Sequence, residues 1–95
     1  MIRSFRDKDT EAIWGRRYVK NLSPELSRLA YNKLVLINAA ERINDLRVPP
    51  GNRLEKLGGS RAGQYSIRVN DQWRICLEWP DGAPGPSNVE IVDYH

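Results

Sequence analysis

The chain has 95 residues, 40% of them hydrophobic and 28% charged, which fits one small globular core and excludes a disordered polypeptide. Fifteen Lys and Arg against twelve Asp and Glu give a net charge of +3 and a pI near 9.3, too mild a balance to establish a nucleic-acid partner alone. A single cysteine, Cys76, excludes an internal disulfide, and one cysteine with one histidine excludes a usual zinc site.

In chain order, Met1 to Phe5 reads as a short strand. The N-terminal stretch "MIRSFRDKDTEAIW" has no apolar run behind its early charge, so no signal peptide is expected. No stretch of about 18 apolar residues exists, so no membrane span is expected either, and the cytoplasm is the default location. Asp7 suits the N-cap of a helix through "KDTEAIWGRRY", whose Ile13, Trp14 and Tyr18 read as core packing. "NLSPELSRLAYNKLVLINAAERINDLRVPPG" gives the clearest element. Ser23 is a good N-cap, Pro24 fits the first helical position and Glu25 favours the positive helix end. Leu26, Ala30, Leu34, Ile37, Ala40 and Ile43 make one apolar stripe, flanked by Leu29 and Leu36. Pro49, Pro50 and Gly51 stop it. A helix from about residue 24 to 46 would be roughly 34 Å long.

After Gly51 the period changes to two. In "QYSIRVNDQWRICLEW" the odd positions Tyr65, Ile67, Val69, Trp73, Ile75, Leu77 and Trp79 are apolar and the even ones mostly polar, which predicts a hairpin with one buried face. A two-residue turn at Asn70-Asp71 would pair Ile67 with Arg74 and mix the faces. A three-residue loop, Asn70 to Gln72, pairs Val69 with Trp73 and keeps the odd face apolar. That register sets Arg68 directly across from Arg74, a like-charge pair that destabilises a sheet by up to roughly 1 kcal/mol. "VEIVDY" supplies a last strand, reached through "PDGAPGPSN". One domain over residues 1–95 is expected. Its class is α+β, with two N-terminal helices on one face of a small curved, mainly antiparallel sheet.

The basic residues cluster in the middle of the chain: Arg47, Arg53, Lys56, Arg61, Arg68 and Arg74. Arginine forks suit phosphate oxygens. Two readings of the opposed arginines stay open. An external anion fills the space between them, or Glu78 or Glu90 pairs with them or they simply splay into solvent. The glycines of "LGGSRAG" are no P-loop, because the GK[ST] ending and a following helix are missing. Cys76 reads as a filler residue and would be a nucleophile only beside a base. The sole histidine, His95, is the last residue. It is either a frayed end or, with arginines on the same sheet, a proton donor or acceptor for RNA cleavage.

The stretches "MIRSFRDK", "NRLEKLGGSRAGQYSIRVNDQWRICLEW" and "VEIVDYH" resemble the host-inhibition-of-growth (HigB-type) toxins of bacterial type II toxin–antitoxin systems, within the RelE/ParE superfamily. The resemblance spans essentially the whole chain. It implies a RelE-like fold and a ribosome-dependent mRNA endoribonuclease, or mRNA interferase, which needs no cofactor or metal. It implies Arg74 at the scissile phosphate, His95 as general acid or base, and Asp93 and Tyr94 in support. Lys56, Arg61, Arg68, Gln72 and Trp73 are the expected RNA-binding residues. The implied partners are a helix-turn-helix antitoxin (HigA-like), the small ribosomal subunit and mRNA. Where many relatives read "LKGDR", this chain reads "LGGSR", so Gly58 and Ser60 replace a lysine and an aspartate while Arg61 is retained. Lys56, two residues before that lysine position, is expected to compensate by sharing its strand face. Glu55 aligns with a histidine of some relatives. Two other readings accompany this one: a gyrase-poisoning toxin of the same fold, and a basic RNA-binding module without catalysis. Strict alternation puts Tyr94 with Glu90 and Val92, and His95 on the opposite face with Val89 and Ile91.

Overall fold

A computed structural model describes residues 1–94, and His95 lies outside the described residues. Helix α1 spans Lys8–Trp14 and starts where the Asp7 carboxylate accepts the Thr10 amide at 2.9 Å. It ends at Gly15 because Arg16 takes a left-handed conformation (φ 60°), and the amides of Arg16 and Arg17 fold back onto the Ile13 and Ala12 carbonyls. Ile13 is buried as expected. Tyr18, beyond the break, is 83% exposed, so the expectation that it packs in the core is corrected.

Helix α2 spans Pro24–Ala39, with Ser23 Oγ accepting the Leu26 amide at 3.0 Å. Its stripe of Leu26, Ala30, Leu34 and Ile37 is buried against the sheet. The helix is shorter than the apolar stripe predicts, about 24 Å rather than 34 Å. The reason is local. Asp45 Oδ2 accepts the amides of Glu41 at 2.9 Å and Arg42 at 3.2 Å, groups that a continuing helix would have bonded backwards. A 3-10 turn over Ile43–Arg47 follows and delivers Leu46 into the core.

Four strands, β1 Glu55–Lys56, β2 Gln64–Arg68, β3 Trp73–Glu78 and β4 Ser87–Asp93, form one antiparallel sheet in the order β1-β2-β3-β4. The hairpin register is the one that parity demands: Ile67 faces Ile75 and Arg68 faces Arg74. Asn70 Oδ1 fixes the loop by accepting the amides of Gln72 at 2.9 Å and Trp73 at 2.8 Å, while the Val69 amide closes onto the Trp73 carbonyl. A register shift between Cys76 and Glu78 bends the β3–β4 pair. Met1 to Phe5 is not a strand. It runs beside β4 and makes one parallel bridge, Phe5 to Val89, because Asn88 at φ 51° interrupts a regular ladder there. Ser4 compensates by accepting the Asn88 amide on its hydroxyl. Gly85 lets the chain start pass: a Cβ there would sit 2.2 Å from the Met1 carbonyl oxygen.

Both helices lie over the odd face, where Ile67, Val69, Ile75, Leu77, Trp79 and Val89 join their buried stripes. This is the expected α+β, RelE-like arrangement. No helix among the described residues is long and apolar enough to cross a membrane. The even face departs from simple alternation. Ser66, Arg74 and Cys76 are buried there, beneath the segment that leads into β2 and beneath the end of β4.

Thr10 ties α1 to the sheet, since its buried hydroxyl accepts the Ile91 amide at 2.9 Å. Thr10→Val keeps the shape and leaves that amide without its acceptor. Urea unfolding should show a loss of about 1–3 kcal/mol, and an unchanged midpoint would contradict this role.

Candidate active site

The even face of the sheet is built around Arg74. The residue is only 8% exposed. Nε donates to Ser66 Oγ at 2.8 Å, and Nη2 donates to the Arg53 carbonyl at 2.7 Å and the Ser66 carbonyl at 3.3 Å. A guanidinium has five N–H donors. Three are thus fixed by neutral acceptors, and Nη1 has no hydrogen bond among the described residues. The Glu55 carboxylate stands 3.8 Å from Nη2, which is an ion-pair distance and not a hydrogen bond. Most of the buried charge is therefore met by dipoles, and an anion at Nη1 would meet a cation whose orientation is already fixed.

The acceptor on Arg53 is itself engineered by its neighbours. A 3-10 turn at Pro50–Asn52 ends with Arg53 in the left-handed region (φ 46°), and this aims its carbonyl at the sheet. Asn52, fully buried, holds that turn. Its amide nitrogen donates to the Leu46 and Val48 carbonyls at 3.2 and 3.3 Å, and its oxygen accepts Lys33 Nζ from α2 at 2.7 Å.

Arg74 opens into a pocket of about 490 Å³ that is also lined by Gly51, Arg53, Glu55, Arg68, Asn70, Asp71 and Tyr94. The Arg74 guanidinium carbon lies 5.8 Å from the centre of the Tyr94 ring, within cation–π reach. Tyr94 reaches this face because β4 pairs Val92 with Arg74 and Glu90 with Cys76, as alternation predicts. Its amide is held by the Gln72 carbonyl at 2.7 Å. Arg68 pairs with Asp71 across the loop, so the opposed arginines take separate partners. Neither Glu78 nor Glu90 serves that pair.

The other expected residues fall elsewhere. Asp93 stands opposite Trp73 on the odd face, and both its oxygens accept from Gln72 Nε2 at 3.2 Å. Trp73 packs against the core. Lys56 pairs with Tyr65, so its side chain belongs to the odd face, and Glu55, not Lys56, joins Ser66 on the face of Arg74. The expected compensation through Lys56 is thereby not what the strand register provides. Arg61 binds Glu90 at 2.9 Å and Gln64 at 2.9 Å, and Arg6 approaches Glu90 at 3.7 Å. The bond to Glu90 holds the Arg61 guanidinium above its ordinary value. Sequence reasoning missed the part of Glu55, Asp71, Ser66 and Asn52. The only signal for Ser66 was its even parity beside Arg74, and the Pro-Pro-Gly turn was legible merely as a helix stop.

Residues 3–95 match the family described as the RelE-like toxin of type II toxin–antitoxin system HigB. The chain is 40% identical over 84 residues to Toxin HigB-1 of Vibrio cholerae, covering 87% of this chain and 88% of that one. It is 44% identical over 70 residues to a Haemophilus influenzae protein, covering 74% and 69%. It is 28% identical to Endoribonuclease HigB of Proteus vulgaris along the full length of both.

Cys76 sits in the same polar layer as a fully buried thiol. Burial pushes its pKa up, Arg61 and Arg74 pull it down, and Glu90 pushes it up again, for a net rise. A raised value in the folded state stabilises below the unfolded thiol value and is lost as pH rises through the folded one. Stability should therefore fall above about pH 8.5 more steeply in the wild type than in Cys76→Ala, measured as the slope of unfolding free energy against pH. Equal slopes would exclude the coupling.

Proposed function

The chain belongs to the HigB-like family of RelE-like toxins of type II toxin–antitoxin systems, and from that membership we propose that it is an mRNA endoribonuclease acting on the ribosome. An antitoxin is the partner of any such toxin. The substrate in this reading is mRNA in the A site of the small subunit, in the cytoplasm, and residues 1–95 act as a single toxin domain. The name Endoribonuclease HigB of the Proteus vulgaris relative supports the chemistry.

The observation that carries the reading is the Arg74 guanidinium, locked on three donors in the wall of a polar pocket, with no hydrogen bond at Nη1 among the described residues. In the reaction, the 2′-oxygen attacks the adjacent phosphorus and the bond to the 5′-oxygen breaks. The products are a 2′,3′-cyclic phosphate and a 5′-hydroxyl. Charge grows on the non-bridging oxygens, where a fixed donor pair is worth most because it needs no reorganisation. Arg74 takes that role without a metal ion. Tyr94 flanks the same oxygens, and Arg53 extends the basic lining of the pocket, while Arg68 stays paired with Asp71 at its wall. His95, next after Tyr94, gives the proton to the leaving oxygen or takes it from the 2′-hydroxyl. Asp93 and Gln72 hold the end of β4, just before Tyr94. Lys56, exposed on the edge strand, meets RNA outside the pocket, with Arg61 and Trp73 at the flank.

Cleavage of ribosome-bound mRNA by purified toxin tests this. Arg74→Lys keeps the charge and loses the fork, and should lower the single-turnover rate by about 10²-fold or more. His95→Gln should lower it by about 10²–10⁴-fold. Products should carry cyclic phosphate ends, at a rate indifferent to chelators once the ribosomes are kept intact. Wild-type rates in both variants would remove the assignment.

A further inference from the structure

On the helix side of the molecule a second groove, of about 440 Å³, runs between the end of α1 and the start of α2. It shares no lining residue with the Arg74 pocket. Its floor is aliphatic, made by Ile13, Val19 and Leu22 at the edge of the core. Its rim is cationic: Arg16, Arg17 and Arg28 line it, and no carboxylate does. None of the three arginines forms an ion pair among the described residues. Tyr18 stands at the same rim, 83% exposed. An unpaired basic rim over an apolar floor is complementary to a peptide that alternates carboxylates with apolar side chains.

We propose that this groove docks an acidic amphipathic segment of the antitoxin. Tyr18 and the aliphatic floor receive its apolar side chains, and Arg17 and Arg28 receive its carboxylates. The observations favour a protein over RNA. Single-stranded RNA uses open aromatic faces as stacking platforms. Tyr31 is already stacked with Trp14 at 5.6 Å and covered by Arg16 at 4.7 Å, so Tyr18 alone is left for that use. An aliphatic floor contributes to binding only when apolar groups cover it. The partner is given by the family and not by the cleavage chemistry, so the inference stands apart from the role of Arg74. It also predicts that the two sites can be disabled separately.

The test is calorimetric titration of the full-length toxin with the antitoxin encoded beside it. The variants are Arg17→Glu/Arg28→Glu, Tyr18→Ala, and Arg3→Glu/Arg47→Glu as a control with the same change of charge. All five positions are exposed, and thermal melts check folding. The groove pair should weaken binding by about 100-fold or more and Tyr18→Ala by about 10-fold or more, with the control close to wild type. Ribosome-dependent cleavage by the free toxin should be unchanged in Tyr18→Ala. Wild-type affinity in both groove variants overturns the proposal, as does equal weakening by the control pair. Retained antitoxin binding with lost cleavage also overturns it and assigns the groove to RNA.

Discussion

A guanidinium held below the surface by neutral oxygens is the constraint around which the polar face is arranged. Taking a cation out of water costs several kcal/mol even after relaxation. Arg74 recovers that through Ser66 and the Arg53 carbonyl, with Glu55 at a longer range. Each of these depends on a different part of the fold. Ser66 comes from the neighbouring strand in a register set by the Asn70 loop. Arg53 comes from a turn locked by Asn52 and, through it, by Lys33 on α2. Helix packing on one side of the sheet is thus connected to donor orientation on the other by a short chain of hydrogen bonds.

The same layer shows how several cations coexist in a small space. Arg61 is neutralised by Glu90, and Arg68 by Asp71, so neither adds an uncompensated charge beside Arg74. Two residues between these pairs, Cys76 and Ser66, are small and uncharged and are fully buried. A site of this kind is positive where an anion would enter and neutral around it. That gradient favours one phosphate position over diffuse binding along the face.

Much of this was legible in the sequence because it follows from periods and caps. Asp7 and Ser23 set the helix starts, and parity alone distinguished a three-residue loop from a two-residue one. Parity also put Tyr94 on the Arg74 face. What escaped was non-periodic. Alternation says which face a side chain takes and nothing about what covers that face, so it gave no sign that Ser66, Arg74 and Cys76 are all buried. The short edge strand was likewise too brief to show a period, and its register puts Glu55 rather than Lys56 beside the site. Tyr18 read as core because the helix was extended past Gly15, where a left-handed Arg16 in fact ends it.

The length of α2 connects these misses. The apolar stripe continues through Ala40 and Ile43, and on hydrophobicity alone the helix should continue with it. Asp45 overrides the stripe by capturing two amides, and the chain leaves the helix axis at Ala40. Leu46 can then enter the core from a 3-10 turn, and its carbonyl becomes an acceptor for Asn52. A helix continued to about residue 46 would place Leu46 roughly 10 Å farther along the axis than Ala39. The Asn52 anchor would lose that acceptor, and the Arg53 carbonyl its fixed position. One carboxylate in an exposed turn thereby sets where the buried arginine points, through a break in the helix that the apolar pattern does not contain.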